Sequence, residues 1–218
     1  MDNRHDSAAA RPDGGTETRI LDAAHLVFVR RGTAGARMQE IADEAGVNKA
    51  LLHYYFRNKN RLAEAVFRRV GERLFPPVLD ILGSDAEIEE KVERVVALEL
   101  EHLSRTPFAP AYLISEMNHH PERARQLVKA LTGIEIDGAT PRVRATLERQ
   151  LKARARAGTL RRISAEQFVV NLVALCVFPF AMRPMLALAL GLDAQGFQRF
   201  IDQRKKQLPE FFLNALRP

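Results

Sequence analysis

Apolar positions recur at helical spacing along most of the chain. Ile20, Ala24, Val27 and Phe28 fall at i, i+4, i+7 and i+8, a single stripe on a first helix that Thr16 or Thr18 can cap and Gly32 can close. Two short periodic segments follow, about Met38 to Ala45 and Lys49 to Phe56, with Gly46, Val47 and Asn48 between them. Asn58 is placed to cap a longer helix through Leu62, Val66 and Val70, which the missing amide hydrogens of Pro76 and Pro77 should end. The stretch from Ser84 to Glu87 has the form of a capping box ahead of a helix spanning about Asp85 to Ser104. Further helices are expected over Pro107 to Asn118 and Pro121 to Leu131, then a loop, TGIEIDGAT, and a basic helix opened by Thr140 and Pro141.

Ser164 to Gln167 form a second capping box, after which Phe168 to Gly191 is apolar on nearly every face and interrupted by Pro179 and Pro184. The uncharged run Gln167 to Met182, 16 residues long, reads as a buried core helix, too short to span a bilayer, which takes roughly 20 apolar residues. The last segment, Asp193 to Leu216, is amphipathic, with Phe197, Phe200, Ile201, Leu208, Phe211 and Phe212 on one side. No segment alternates as a strand, so the expected fold is all-α. Its divisions are a mobile tail over 1–16, a three-helix domain over 17–62 and a larger helical bundle over 63–218.

Composition adds two constraints. The 218 residues are 46% hydrophobic and 28% charged, ordinary for a globular chain, and the formal net charge of +6 favours a polyanionic partner. The single cysteine, Cys176, has no partner in the chain and lies among Leu175, Val177 and Phe178, which fits a small buried hydrophobe in a cytoplasmic protein. The N-terminus lacks the apolar centre of a signal peptide. No phosphate loop, serine elbow or acid–base pair emerges, so a catalytic role and a cofactor are not expected.

The most specific pattern is MQEIADEAGVNKALLHYYFRNKNRL. A helix-turn-helix needs a small residue where its helices cross, a turn residue tolerant of positive φ and an apolar residue facing back into the core. Ala42, Gly46 and Leu52 occupy those places, and Asn48 can cap the second helix. With Leu52 and Phe56 inward, Ala50 and Tyr54 face outward, flanked by Leu51 and His53. Lys49 can reach base acceptors or phosphate, Tyr54 and Leu51 can meet thymine methyl groups, and Ala50 allows close approach. His53, Tyr55 and Lys59 are placed to grip phosphates.

The run IADEAGVNKALLHYYFRNKNRL, with ILDAAHLVFVRRG upstream, resembles the signature of the tetracycline-repressor (TetR) family of bacterial transcriptional regulators, over about Thr18 to Leu62. The resemblance implies a small N-terminal DNA-binding domain and a larger helical C-terminal domain that dimerises and takes a small effector. Carried over by position, the family's DNA contacts fall on Gln39, Lys49, Ala50, Leu51, His53, Tyr54, Tyr55 and Lys59. Met38 stands where threonine often touches phosphate, with Arg37 as a substitute, and His53 where tyrosine is commonest. The expected function is a ligand-responsive regulator, a repressor, that binds a palindromic double-stranded DNA operator as a homodimer.

The dimer is expected to form through the two C-terminal helical regions, about Ala165 to Leu190 and Asp193 to Leu216. The effector, mainly apolar, is expected near His102, Phe108, Tyr112, Met117, Phe168, Leu172 and Cys176, with Glu99, His102 and Asn171 as polar groups. The basic helix from Arg142 to Arg162 reads as a solvated face rather than a second nucleic-acid surface. A competing reading comes from two Glu-x-x-His pairs, Glu99 with His102 and Glu116 with His119, the spacing of di-iron carboxylate bundles. It would make the chain a metal-dependent oxidoreductase or a metal sensor.

Overall fold

The computed structural model describes residues 14–123, 125 and 141–218, and every regular element among them is a helix. The chain divides into two compact units, 1–67 and 68–218. The first holds α1 (Gly14–Gly35), α2 (Met38–Ala45), α3 (Lys49–Tyr55) and the start of α4 (Lys59–Gly83). Its core is the expected stripe of Ile20, Ala24, Val27 and Phe28, closed over Ile41, Ala42, Leu52, Leu62 and Val66, all at most 1% exposed. Gly32 breaks α1, at φ 68° and ψ 160°.

The expected tail lies outside the described residues up to position 13. Its last three residues already belong to α1, which therefore starts ahead of Thr16 and Thr18 and places Glu17 in the first turn, where the helix dipole favours an acid. The boundary expected after Leu62 falls within α4, five residues ahead of the division between the units. Asn58 caps α4 as expected, accepting from the Arg61 amide at 3.0 Å.

In the second unit α4 continues through Pro76 and Pro77 to Gly83, against the expected break. Each proline forfeits one backbone bond, but Leu74, Val78, Ile81 and Leu82 are all buried and hold the segment helical. The Ser84 capping box does not form. The Ser84 hydroxyl donates instead to the Ile81 carbonyl at 2.7 Å, closing α4, and α5 (Ile88–Arg105) starts at Glu87 without a side-chain cap. Lys91, fully buried, donates to the Leu82 carbonyl at 2.9 Å and to Gln150 Oε1 at 2.6 Å, while Gln150 donates to the Ala86 carbonyl at 2.9 Å. One lysine and one glutamine thus satisfy the loop joining α4 to α5.

Then come α6 (Ala109–His119), α7 (Pro141–Arg156), α8 (Ala165–Ala181), α9 (Arg183–Ala189) and α10 (Ala194–Ala215). Helix α5 packs against α8 and α10, and α8 also meets α6, α7 and α9. Of the expected helix over Pro121 to Leu131, positions 121–123 and 125 are helical; the remainder, the TGIEIDGAT loop and Thr140 lie outside the described residues. The Ser164 box forms in part, its hydroxyl accepting from the Gln167 amide at 3.3 Å. Asp193 caps α10 through the Gly196 amide at 2.6 Å.

Helix α8 is not buried all round. Phe168, Leu172, Cys176 and Phe180 form a buried stripe, whereas Val170 is 60% and Phe178 52% exposed on the other side. It also runs through Pro179, and the reason is local. The Leu175 carbonyl, which a residue with an amide hydrogen at 179 would have engaged, accepts instead from Arg204 of α10, at 3.1 Å to Nε and 2.8 Å to Nη2. The true break is at Met182, where α8 and α9 meet at 71°. No single described helix is long and apolar enough to cross a membrane.

The aromatic stripe of α10 is divided. Phe197, Ile201, Leu208 and Phe212 are buried, with Phe212 edge-on to Phe168 (centroids 5.2 Å apart) and Phe197 edge-on to Phe180 at 5.8 Å, but Phe211 is 63% exposed. Helix α7 keeps the expected solvated basic face, with Arg142, Arg144, Arg149, Lys152 and Arg156 exposed, and is tied to its neighbours by ion pairs. Arg154 grips Glu89 of α5 through two hydrogen bonds of 2.9 and 2.5 Å, Arg149 meets Asp85 at 3.2 Å, and Arg144 bridges Glu148 and Glu166 at 2.9 and 3.1 Å.

Candidate nucleic-acid interface

Two short helices and the turn between them form the site. Gly46, at φ 64° and ψ 37°, ends α2 in the left-handed region, and its amide donates to the Asp43 carbonyl at 3.1 Å. The Val47 amide returns to the Ala42 carbonyl at 3.0 Å, and Asn48 then caps α3, its Oδ1 accepting from the Leu51 amide at 2.7 Å. Ala42 and Leu52 are fully buried at the crossing and Phe56 is 7% exposed.

That frame turns the opposite face of α3 outward. Lys49, Ala50 and His53 are exposed, Tyr54 is 65% exposed, and Leu51 and Tyr55 are half-buried at the flanks. Tyr54 and Tyr55 meet edge-on, with centroids 5.6 Å apart. Nearby acids are matched by cations from α1: Arg30 pairs with Glu44, and Arg31 with Glu40 at 3.4 Å. Arg37, at the start of α2, is exposed and makes no cap.

Several of the expected contact residues already have protein partners, Asn48 through the Leu51 amide and Tyr55 through its neighbouring rings among them. Gln39 donates to Asp43 at 2.8 Å, and His53 Nδ1 lies 3.2 Å from the Arg57 carbonyl. Half-buried Lys59 donates to the carbonyls of Ala34 and Ala36 at 2.7 and 3.0 Å, tying the start of α4 to the turn between α1 and α2. Exposed Arg57, beside His53, was not among the residues expected. Its signal was a second cation close behind the YYF run.

The second unit has its own concavity, of about 450 Å³, between α4, α5, α6 and α8. Of the seven residues expected around an effector, Met117 lines it. Tyr112, Phe168, Leu172 and Cys176 are core residues at most 5% exposed, Phe108 is 52% exposed beneath the Arg183 guanidinium, and half-buried His102 lies outside the lining. The wall that sequence reasoning missed is Leu74, Phe75, Val78 and Leu79, carried there by the helix expected to end at Pro76. Burial pushes the Glu99 carboxyl at this cavity up to about 7, and burial likewise pushes the Cys176 thiol up to about 12.

The two Glu-x-x-His pairs do not converge. Buried Glu116 is taken by the Arg123 guanidinium and His119 Nδ1 lies 2.7 Å from the Ser115 carbonyl, while Glu99 faces apolar groups. Among the described residues no three His, Cys, Asp or Glu side chains gather as metal ligands. The di-iron reading therefore has no support.

A buried small-residue crossing, a left-handed glycine turn and a capped helix with its aromatic and basic face outward define a helix-turn-helix unit, here joined to an all-helical second unit. Residues 20–66 match the family described as "Bacterial regulatory proteins, tetR family". The chain is 30% identical over 130 residues to the HTH-type transcriptional repressor SCO4008 of Streptomyces coelicolor, an alignment covering 58% of this chain and 66% of that one. It is 27% identical over 105 residues to the repressor KstR2 of Rhodococcus jostii, covering 48% and 52%. The chain thus spans between about half and two thirds of these relatives' length.

Among solved structures, the fatty acid degradation regulator FadR from Bacillus halodurans shares the fold with a TM-score of 0.62 at 16% identity, over 93% of this chain and 97% of that one. A linker-substituted HlyIIR mutant does so with a TM-score of 0.60 at 21% identity, over 93% and 95%. The helix-turn-helix unit over residues 20–66 is thus that of the tetR family of bacterial regulatory proteins.

Proposed function

We propose that this chain is a cytoplasmic, ligand-responsive transcriptional regulator, a repressor, which binds a palindromic double-stranded DNA operator as a homodimer and acts by binding rather than catalysis. The observation that carries the reading is the outward face of α3, where Lys49, Ala50, His53 and Tyr54 are exposed on a helix fixed from behind by Ala42, Gly46 and Leu52. A face of this kind enters a major groove, with Lys49, Ala50, Leu51 and Tyr54 against base edges and Arg37, Gln39, His53, Tyr55 and Lys59 towards phosphate. Asn48 holds the end of α3 that leads into the groove. Gln39 exchanges its bond to Asp43 for DNA, and Lys59 has one of its three donors left for phosphate.

Dimerisation is assigned to α8, α9 and α10. Val170, Ala174 and Phe178 recur every four residues on the exposed side of α8, and Phe178 and Phe211 border one shallow concavity. Two-fold pairing of these faces would make a four-helix interface and remove exposed apolar surface from water. The effector is assigned to the cavity between α4, α5, α6 and α8. A ligand represses or releases only if it favours one conformation over another.

Selection of DNA from a random library by the purified chain in low salt tests the reading. The expected product is an inverted repeat whose half-site centres lie roughly 34 Å apart or somewhat more. Recovery of no palindrome above background would overturn it.

A further inference from the structure

Among the described residues, the effector cavity is apolar save for one group. The sixteen described residues that line it include a single ionisable side chain, Glu99 of α5, surrounded by such groups as Leu74 and Val78 of α4, Leu103 of α5, Met117 of α6 and Val173 of α8. Glu99 is 5% exposed and takes part in none of the hydrogen bonds or ion pairs among the described residues. The Cys176 thiol, which feels the Glu99 carboxylate, carries no positive charge. Two other buried charges in this unit are matched: Lys91 by a carbonyl and an amide oxygen, Glu116 by Arg123. An unmatched carboxyl costs free energy in dry surroundings, and it persists here at the wall of a space large enough for a ligand.

We propose that the effector is a cationic amphiphile, an aliphatic or aromatic amine whose ammonium group pairs with Glu99 while its apolar body lies against α4, α6 and α8. The inference rests on the assignment of this cavity as the effector site. Three head-group chemistries separate at Glu99. An ammonium supplies both the hydrogen-bond donor and the opposite charge, and the pair strengthens where water is excluded. A hydroxyl supplies a donor and no charge. A carboxylate brings no positive charge and sets like charge beside the ionised form of Glu99, so it is disfavoured. The apolar wall binds the tail of all three alike, so head-group preference reports on Glu99 and tail affinity reports on the cavity.

The test is calorimetric titration of the full chain, without DNA, with n-decylamine, 1-decanol and decanoate at neutral pH. Decylamine is expected to bind about tenfold or more tighter than decanol, with decanoate weakest. Glu99→Gln should weaken decylamine by about the same factor and leave decanol within about threefold. Decanoate binding as tightly as decylamine, or decylamine binding equally to the native chain and the Gln variant, would overturn the proposal; so would failure of all three to bind. The head-group series on the native chain stands whether or not the variant folds. A palindrome recovered from the DNA library together with a failed amine titration leaves the regulator intact and removes the cationic effector alone.

Discussion

Gly46 sits at φ 64° with open space around the position of a Cβ, so an alanine there meets no neighbour and pays only for its backbone conformation. Gly46→Ala should therefore cost about 1–2 kcal/mol, read as a lower denaturation midpoint with the fold unchanged. Tyr54→Ala removes a side chain that is 65% exposed and meets Tyr55 edge-on at the surface, so it should alter base preference in a repeated DNA selection with little change in stability. Lys59→Ala should weaken DNA binding across all sequences and flatten its salt dependence by about one unit of slope, and it should also lower stability, because two carbonyls lose their donor.

Glu99 makes a pH prediction of definite sign. Its folded pKa of about 7 lies above the usual 4.5, so its contribution to stability is fully present below pH 4.5 and is lost as pH rises through 7, where ionisation inside the bundle opposes folding. Relative to Glu99→Gln, the native chain should lose on the order of 2–3 kcal/mol between these limits, measured by denaturation at a series of pH values. At this scale the frame of the turn was legible in the sequence, since Ala42, Gly46, Asn48 and Leu52 act on neighbours a few positions away. The partners of Lys59 were not, because they lie 23 and 25 positions earlier.

Prolines were the hardest residues to read at the scale of the element. Pro76 and Pro77 predicted a helix end that burial of the following turn overrides, and Pro179 predicted an interruption that Arg204 repairs from another helix. Propensity sees the lost backbone bond, whereas tertiary structure decides whether the orphaned carbonyl finds a donor. Arg204→Met should thus destabilise the second unit by about 1–3 kcal/mol. Combined with Pro179→Ala, whose restored amide can serve the Leu175 carbonyl, the loss should shrink; an equally large loss in both backgrounds would show that the arginine acts by packing alone. Capping by Asn58, Ser164 and Asp193 involves residues three apart in sequence, and the first two were legible for that reason.

At the scale of the molecule, the all-helical class followed from periodicity, and the DNA-binding reading from the turn motif. What periodicity left open was how each apolar face is used. The α10 stripe reads as one surface in sequence, yet Phe212 is consumed by Phe168 while Phe211, the next residue back, is left outside. A charged residue at Phe212 would wreck the fold rather than the dimer. Phe178→Glu with Phe211→Glu is the discriminating pair: both are more than half exposed, so the double variant should fold, sediment as a monomer and lose operator affinity. A double variant that remains dimeric and binds DNA would place the interface elsewhere.

Cys176 has a practical consequence for following this protein in solution. It is the only cysteine, is fully buried, and its thiol is pushed up to about 12, so near neutral pH only on the order of one molecule in a hundred thousand carries the reactive thiolate there. A maleimide dye should spare the native chain and modify it once unfolded. Asn60→Cys, at an exposed position near the start of α4, would then accept one fluorophore per chain without first removing the natural thiol. The same reagent, applied during slow heating, would count opened molecules directly.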